Sequence, residues 1–298
     1  MSLKKPTVFR GVATALITPF CEQRIDYPAL RAMIESQIRA DVGALLVAGT
    51  TGEGSTLSEE ELGELISFAA SVIDGRVPLL AGCSSNCTKR AVRLAEIAEQ
   101  AGADALLSVT PYYNKASERG LVAHYTAIAD SIRRPLLLYN VPSRTGVSMT
   151  PEVYRELARH PNVVGIKEAS GDLLLTESVV GELSDRMDVY TGNDHQFTAA
   201  LKLGCTGVIS VYSNLFPCEM LEIWRAWCNG DAAGASRRQR QLRPYLDAMF
   251  CEVNPIPVKY VASLLGICQA EYRLPLCPPS AETARTLKKL FADKLPVS

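Results

Sequence analysis

The sequence is short of histidine: it has only His124, His160 and His195, and no two of them stand at a metal-ligand spacing. It has nine cysteines but no CxxC pair, and the odd number argues against a closed disulfide framework. They read as the reduced thiols of a cytoplasmic protein. Cys83 and Cys87, four apart, have no histidine or further cysteine beside them to complete a zinc set, so no metal is expected. No apolar run approaches the length that crosses a bilayer. The basic stretch 1 to 10 is followed by VATALITPF, which is too short and too soon broken by Pro19 to read as a signal-peptide core. Charge of one sign is lacking too. The 31 Lys and Arg against 32 Asp and Glu leave a formal charge of -1, which gives no global attraction to nucleic acid or to an anionic membrane. What remains is a 298-residue chain, 47% hydrophobic and 21% charged, with the composition of an ordinary globular protein whose partner is to be sought in a pocket.

Short apolar, β-branched runs alternate with segments of helical spacing, the pattern of repeated βα units and a parallel sheet. The candidate strands are 11 to 20, 43 to 49, 77 to 83, 103 to 110, 135 to 141, 163 to 169, 187 to 192 and 207 to 212. Between them lie helix candidates such as 57 to 73, where Ser58 and Glu61 make a capping box ahead of an apolar stripe of Leu62, Leu65, Ile66 and Ala69. Another runs from 87 to 103, with Val92, Leu94, Ala95 and Ala98 on one face and Gly102 as a stop. Eight such units predict a (β/α)8 TIM barrel over residues 1 to 230. An open doubly wound sheet is the alternative, weakened by the absence of a Gly-rich dinucleotide fingerprint after the first strand. Residues 231 to 298, with helix candidates near 233 to 250, 255 to 265 and 280 to 293, form a C-terminal helical appendix. Its SRRQRQLR run (236 to 243) reads as a solvated helix face.

In such barrels chemistry sits at the carboxyl ends of the strands. The sixth candidate strand, VVGIKEA, carries Lys167 inside an apolar run. A lysine there must find a partner, such as the adjacent Glu168, or give up its proton. An unperturbed amine titrates near ~10.4, and lowering that by ~3 units costs about 4 kcal/mol, a cost that a Schiff-base nucleophile puts to use. The second strand ends in Gly49-Thr50-Thr51-Gly52-Glu53-Gly54, whose plain reading is a tight turn and whose chemical reading is two hydroxyl donors. Tyr112 and Tyr113 follow the fourth strand as packing aromatics or an interface patch. Tyr139 ends the fifth strand, either as a core tyrosine or as a general acid beside an amine. Arg144 follows in a Pro- and Gly-bounded loop, either solvated or poised for bidentate capture of a carboxylate.

In order, GTTGEG (49 to 54), TPYYN (110 to 114), YNVPSRTG (139 to 146), GIKEA (165 to 169), GVISV (207 to 211) and NPIPVK (254 to 259) span nearly the whole chain. With these motifs it resembles the dihydrodipicolinate synthases, within the N-acetylneuraminate lyase superfamily of class I aldolases. The resemblance implies that Lys167 forms an imine with pyruvate, with no external cofactor, and that the derived enamine attacks aspartate 4-semialdehyde to give 4-hydroxy-tetrahydrodipicolinate. It implies a proton relay of Tyr139, Thr50 and Tyr113, the last entering from a neighbouring subunit of a homotetramer built as a dimer of dimers. Thr51 with Thr50 would hold the pyruvate carboxylate, Arg144 the carboxylate of the aldehyde, and Gly192 and Ile209 would border the pocket through backbone groups. The combination of Tyr139, Arg144 and NPIPVK favours the synthase over relatives that cleave a sugar acid or a 4-hydroxy-2-oxo acid. The complete residue set disfavours a non-catalytic binding protein on the same barrel. Lysine-inhibited relatives hold the effector at positions matching Gly54, Glu59, Leu62, Asn86 and Arg90, and the arginine stands where they have a glutamate, so insensitivity to lysine is expected. Asn193, in place of a common acidic residue, and Tyr212, in place of a smaller one, are further departures that bear on the aldehyde.

Overall fold

A computed structural model describes residues 5–296, so the first four residues of the basic amino-terminal stretch lie outside it. Eight parallel strands close into a barrel in which each pairs with its neighbours in the chain and the first closes on the eighth. They are Gly11–Ala15, Ala44–Val47, Leu79–Gly82, Ala105–Val109, Leu136–Asn140, Val163–Glu168, Asp188–Thr191 and Gly207–Ser210, called the first to eighth strands below. Each lies inside a candidate read from the sequence. The first is half as long as its apolar run, because Pro19 has no N–H to offer a neighbour and the chain turns there into a two-residue hairpin, Phe20–Cys21 with Arg24–Ile25.

The helices between the strands are α1 (Tyr27–Ala40), α2 (Glu59–Ile73), α3 (Thr88–Gln100), α4 (Glu118–Asp130), the short α5 (Pro142–Thr145), α6 (Pro151–Leu157), α7 (Leu173–Leu183), α8 (Phe197–Leu203) and α9 (Pro217–Cys228). The capping box forms at α2: Ser58 Oγ accepts from Glu61 N, and the Glu61 carboxylate accepts from Ser58 N. Its expected stripe is buried. On α3 the buried stripe is Ala91, Ala95 and Ala98, and the larger Val92 and Leu94 are only partly covered, so the helix approaches the barrel on its small residues.

Side chains segregate into two apolar layers. One lies between the strands and the helix ring; the other fills the barrel with residues such as Ala13, Leu46, Leu107, Leu137, Tyr139, Val164, Tyr190 and Ile209. Phe9, stacked on Tyr190 at 4.2 Å between ring centroids, adds to the interior. The C-terminal region supplies α10 (Ala232–Ala248), α11 (Ile256–Leu264) and α12 (Ala281–Leu290). The 236 to 243 run lies on α10 and is mostly solvated, but Gln239 turns inward, where its side chain accepts from Thr198 N and donates to His195 O, tying α10 to α8.

Candidate active site

The position of Lys167 depends on one extra residue. Val163 pairs with Leu136, but the next pairing joins Gly165 to Leu137, so the sixth strand bulges at Val164. Strict alternation from the outward-facing Val163 would turn Lys167 outward. Beyond the bulge, Ile166 and Glu168 face the helices and Lys167 faces the barrel interior, in register with Tyr139 on one side and Tyr190 on the other. Glu168 is fully engaged outside: it accepts from Asn140 Nδ2, from the Tyr154 hydroxyl at 2.8 Å and from Ser170 N at 2.7 Å. The structural alternative, a Lys167–Glu168 pair, is not made.

Lys167 is 6% exposed, and its Nζ stands 4.3 Å from the centroid of the Tyr139 ring. Burial brings its pKa from 10.5 down to about 7; the Asp194 carboxylate opposes that shift and the Arg144 guanidinium adds to it. Burial also raises the pKa of the Tyr139 phenol, against the opposing pull of Arg144 and the nearby Thr50 side chain, so at neutral pH the phenol keeps its proton. An amine poised to be neutral thus stands beside a protonated phenol that is coupled to a hydroxyl.

Two adjoining cavities share Tyr139, Val141, Arg144, Val253 and Asn254. One, about 540 Å³, opens over Lys167 and is also lined by Thr51, Gly192 and Asn193. Gly192 is required there, because a Cβ at this position would lie 2.7 Å from Ala169 Cβ and 2.9 Å from Lys167 Cε. The other, about 360 Å³, is lined by Thr50, Glu53, Gly54, Leu62, Asn86 and Arg90 among others. Four of the five positions matched to an effector pocket therefore line one cavity, while Glu59, the fifth, pairs with Arg93 on α3.

Two expected site residues are placed differently. Ile209 is wholly buried in the interior layer and lines neither cavity. Tyr113 is 89% exposed at the tip of the loop after the fourth strand, with a left-handed φ of 71°, and also lines neither. Of the two departures near the aldehyde site, Asn193 lines the Lys167 cavity, whereas Tyr212 is buried elsewhere with its hydroxyl donating to Glu219 at 2.5 Å. Tyr212 therefore lines neither cavity.

Other groups at the site are not singled out by spacing. Asp194 follows the seventh strand and is fully buried; its Oδ2 accepts from Val211 N and Tyr212 N at 3.0 and 2.9 Å, which fixes the turn after the eighth strand. Burial raises its pKa, and the nearby Ser210 side chain with the Tyr212 and Val211 amides offsets part of that rise. Asn254 and Lys259 come from the C-terminal region. Asn254 Nδ2 donates to Thr51 Oγ1 at 3.0 Å, and Lys259 Nζ meets Glu53 Oε1 at 2.5 Å with both side chains wholly buried. The first and last motifs of the sequence thus lock together. Among the described residues no three His, Cys, Asp or Glu side chains cluster closely enough to hold a metal ion, and no helix is long and apolar enough to cross a membrane.

Comparison with known proteins finds relatives that match nearly the whole length of the chain. A 4-hydroxy-tetrahydrodipicolinate synthase of Thermoanaerobacter sp. (strain X514) is 43% identical over 96% of each chain. The crystal structure of dihydrodipicolinate synthase from Aquifex aeolicus superposes with a TM-score of 0.95 at 38% identity, covering 97% of this chain and all of that one. The chloride-inhibited dihydrodipicolinate synthase from Acinetobacter baumannii, complexed with pyruvate, superposes at 0.93 and 37% identity, covering 96% and 99%. The model of the Dihydrodipicolinate synthetase family matches residues 8–294, and with a lysine-bearing barrel of this kind behind that match the chain belongs to this family.

Proposed function

We propose that the chain condenses pyruvate with L-aspartate 4-semialdehyde to give 4-hydroxy-tetrahydrodipicolinate, in the cytoplasmic synthesis of diaminopimelate and lysine. The observation that carries the reading is Lys167: an amine buried in the barrel, unpaired by Glu168 and with a pKa near 7, beside the Tyr139 phenol. Its Nζ adds to the pyruvate carbonyl carbon and water leaves, giving a protonated imine. Loss of a methyl proton yields the enamine, whose carbon attacks the aldehyde while the aldehyde oxygen takes up a proton. The amino group of the joined product then adds to the imine carbon, closing the ring and freeing Lys167. The imine is the only activation the carbonyl needs, so the reading invokes no cofactor.

Tyr139 and Thr50 move protons in these steps, with Tyr113 of a neighbouring subunit completing the relay in a dimer of dimers. Thr51 and Thr50 hold the pyruvate carboxylate, Gly192 borders the pocket beside Lys167, and Arg144 binds the carboxylate of the aldehyde. The pyruvate complex of the Acinetobacter baumannii relative supports pyruvate as first substrate. Arg90 makes the enzyme insensitive to lysine, because a guanidinium repels the effector ammonium and Glu59 is already paired with Arg93. Half-inhibition by sub-millimolar lysine in the turnover assay would refute that point.

Borohydride reduction in the presence of pyruvate is expected to leave a pyruvate adduct on Lys167, located by peptide mass spectrometry. Turnover of pyruvate with aspartate 4-semialdehyde should then greatly exceed cleavage of any sugar acid. An adduct without that turnover would move the chain to the sugar-acid aldolases, and no adduct would remove the imine altogether.

A further inference from the structure

The bulge that turns Lys167 inward leaves Val164 without a partner in the ladder, so some other contact must select it over a regular strand. The apolar residues do not. In a regular strand Ile166 would enter the interior layer and Gly165 would face the helices, and in a parallel sheet buried on both faces either layer accepts them. Lys167 does not select it either. Among the described residues it makes no hydrogen bond or ion pair, and facing inward it gains the Tyr139 ring at 4.3 Å while burial penalises its charge. Glu168 is the residue that gains. Beyond the bulge its carboxylate lies on the helix side, 2% exposed, with both oxygens engaged: Oε1 accepts from Ser170 N at 2.7 Å, Oε2 accepts from the Tyr154 hydroxyl at 2.8 Å, and Asn140 Nδ2 donates to the two at 3.2 and 3.1 Å. Two of these donors are fixed by other elements. Asn140 is the register partner of Glu168 on the fifth strand, and its Oδ1 accepts from Met149 N at 3.1 Å; Tyr154 is wholly buried on α6. A regular strand would aim Glu168 into the interior layer, away from Asn140 and Tyr154, and strand a carboxylate, an amide and a phenol in the core.

Resting on the reading of Lys167 as the imine-forming amine, we propose that Glu168 is the positioning residue that sets its direction: the carboxylate, held by Tyr154 and Asn140, selects the bulged register, and that register presents the amine to the cavity. Glu168 touches no substrate. It acts through the strand, because a shift of one residue carries every side chain beyond it to the other face. The last two rungs of the fifth and sixth strands work as one unit, Asn140 with Glu168 outside and Tyr139 with Lys167 inside.

The test is borohydride trapping of pyruvate on the full chain, read as a rate per folded chain at sub-saturating pyruvate and followed against pH. Glu168→Leu fills the same layer without an acceptor. It should lower the rate about 10- to 100-fold, the range for loss of a hydrogen bond to a charged group, and by the same factor at every pH. The inflection should stay at about pH 7, since the chains that still face inward keep the same amine. Glu168→Gln keeps one acceptor oxygen and should fall less. Deletion of Val164 leaves Val163 opposite Leu136 and Gly165 opposite Leu137 in a regular strand that still carries Lys167 inward. In the Glu168→Leu background that deletion should therefore bring the rate back to that of the deletion alone. A folded Glu168→Leu that traps like the wild type would make the network purely structural and overturn the proposal. So would a fall with a displaced inflection, which would give Glu168 an electrostatic effect on the amine, or a folded double variant as slow as Glu168→Leu. If Glu168→Leu fails to fold, Tyr154→Phe, which removes a single bond to the carboxylate, decides in the same assay: a fall with an unmoved inflection supports the proposal, and an unchanged rate overturns it. Each of these failures leaves trapping by the wild type intact, whereas a wild type that traps no pyruvate ends the aldolase reading itself.

Discussion

A buried ammonium is destabilising, and at Lys167 the penalty has a pH signature. The folded-state pKa is about 7 against 10.5 for the free side chain, so the unfolded state binds more protons between those values. The burial cost is present in full below pH 7 and disappears as pH rises toward 10.5. Lys167→Met, close in volume and uncharged, should therefore raise stability at neutral pH by on the order of 4 kcal/mol. It should also abolish pyruvate trapping, and its gain in thermal midpoint should shrink with increasing pH. A midpoint below that of wild type at pH 7 would show that the lysine is held by compensating contacts. In the wild type the trapping rate should climb through about pH 7 as the neutral amine fills. Asp194 stabilises the ammonium, so Asp194→Asn, which keeps an oxygen for the Val211 and Tyr212 amides, should move that climb to lower pH. An unmoved or rising midpoint would deny Asp194 its electrostatic part.

Among the elements, the buried pair of Glu53 and Lys259 fastens the loop after the second strand to α11. Glu53 holds a left-handed φ of 52° and accepts from Arg273 N with its second oxygen, while Lys259 Nζ lies 4.2 Å from the Phe20 ring centroid. Lys259→Met leaves a buried carboxylate alone and should cost about 3–5 kcal/mol, whereas Glu53→Gln with Lys259→Met should cost clearly less, since no charge is then stranded. Urea midpoints for the double-mutant cycle test this; additive losses would mean that the two charges act independently. This contact also marks how far the sequence can be read. Period and capping residues locate seven of the eight strands, and the five helices read from the sequence, to within a few residues, because they report each element's own buried face, as Ser58 and Glu61 do for α2. Strand ends point to Thr50, Thr51, Tyr139, Arg144 and Lys167, because a barrel aims its strand ends at one mouth. The bulge at Val164 that turns Lys167 inward leaves no such pattern, since it arises from pairing with a neighbouring strand. Nor do Asn254 and Lys259 announce themselves, because their partners lie some 200 residues away along the chain.

For the whole molecule the informative residue is Tyr113. A bulky side chain in a left-handed backbone conformation is costly, and here it is 89% exposed, so within one chain the strain brings no burial in return. An exposed aromatic held in this way fits a residue whose contacts are made by another copy of the chain, as the proposed relay of Tyr139, Thr50 and Tyr113 requires. Tyr113→Phe should keep the fold and pyruvate trapping yet lose most turnover. Lys167→Ala should lose both. If the phenol acts across a two-fold interface, mixing these two inactive variants lets a Lys167→Ala subunit lend its Tyr113 to the intact lysine of a Tyr113→Phe neighbour. Each mixed dimer then has one complete site, and random reassortment of equal amounts should restore about a quarter of wild-type turnover. Recovery that grows with time of subunit exchange would identify the two-fold pair as the working unit. A mixture no more active than its components, with exchange verified by native mass spectrometry, would mean that Tyr113 does not act across that interface.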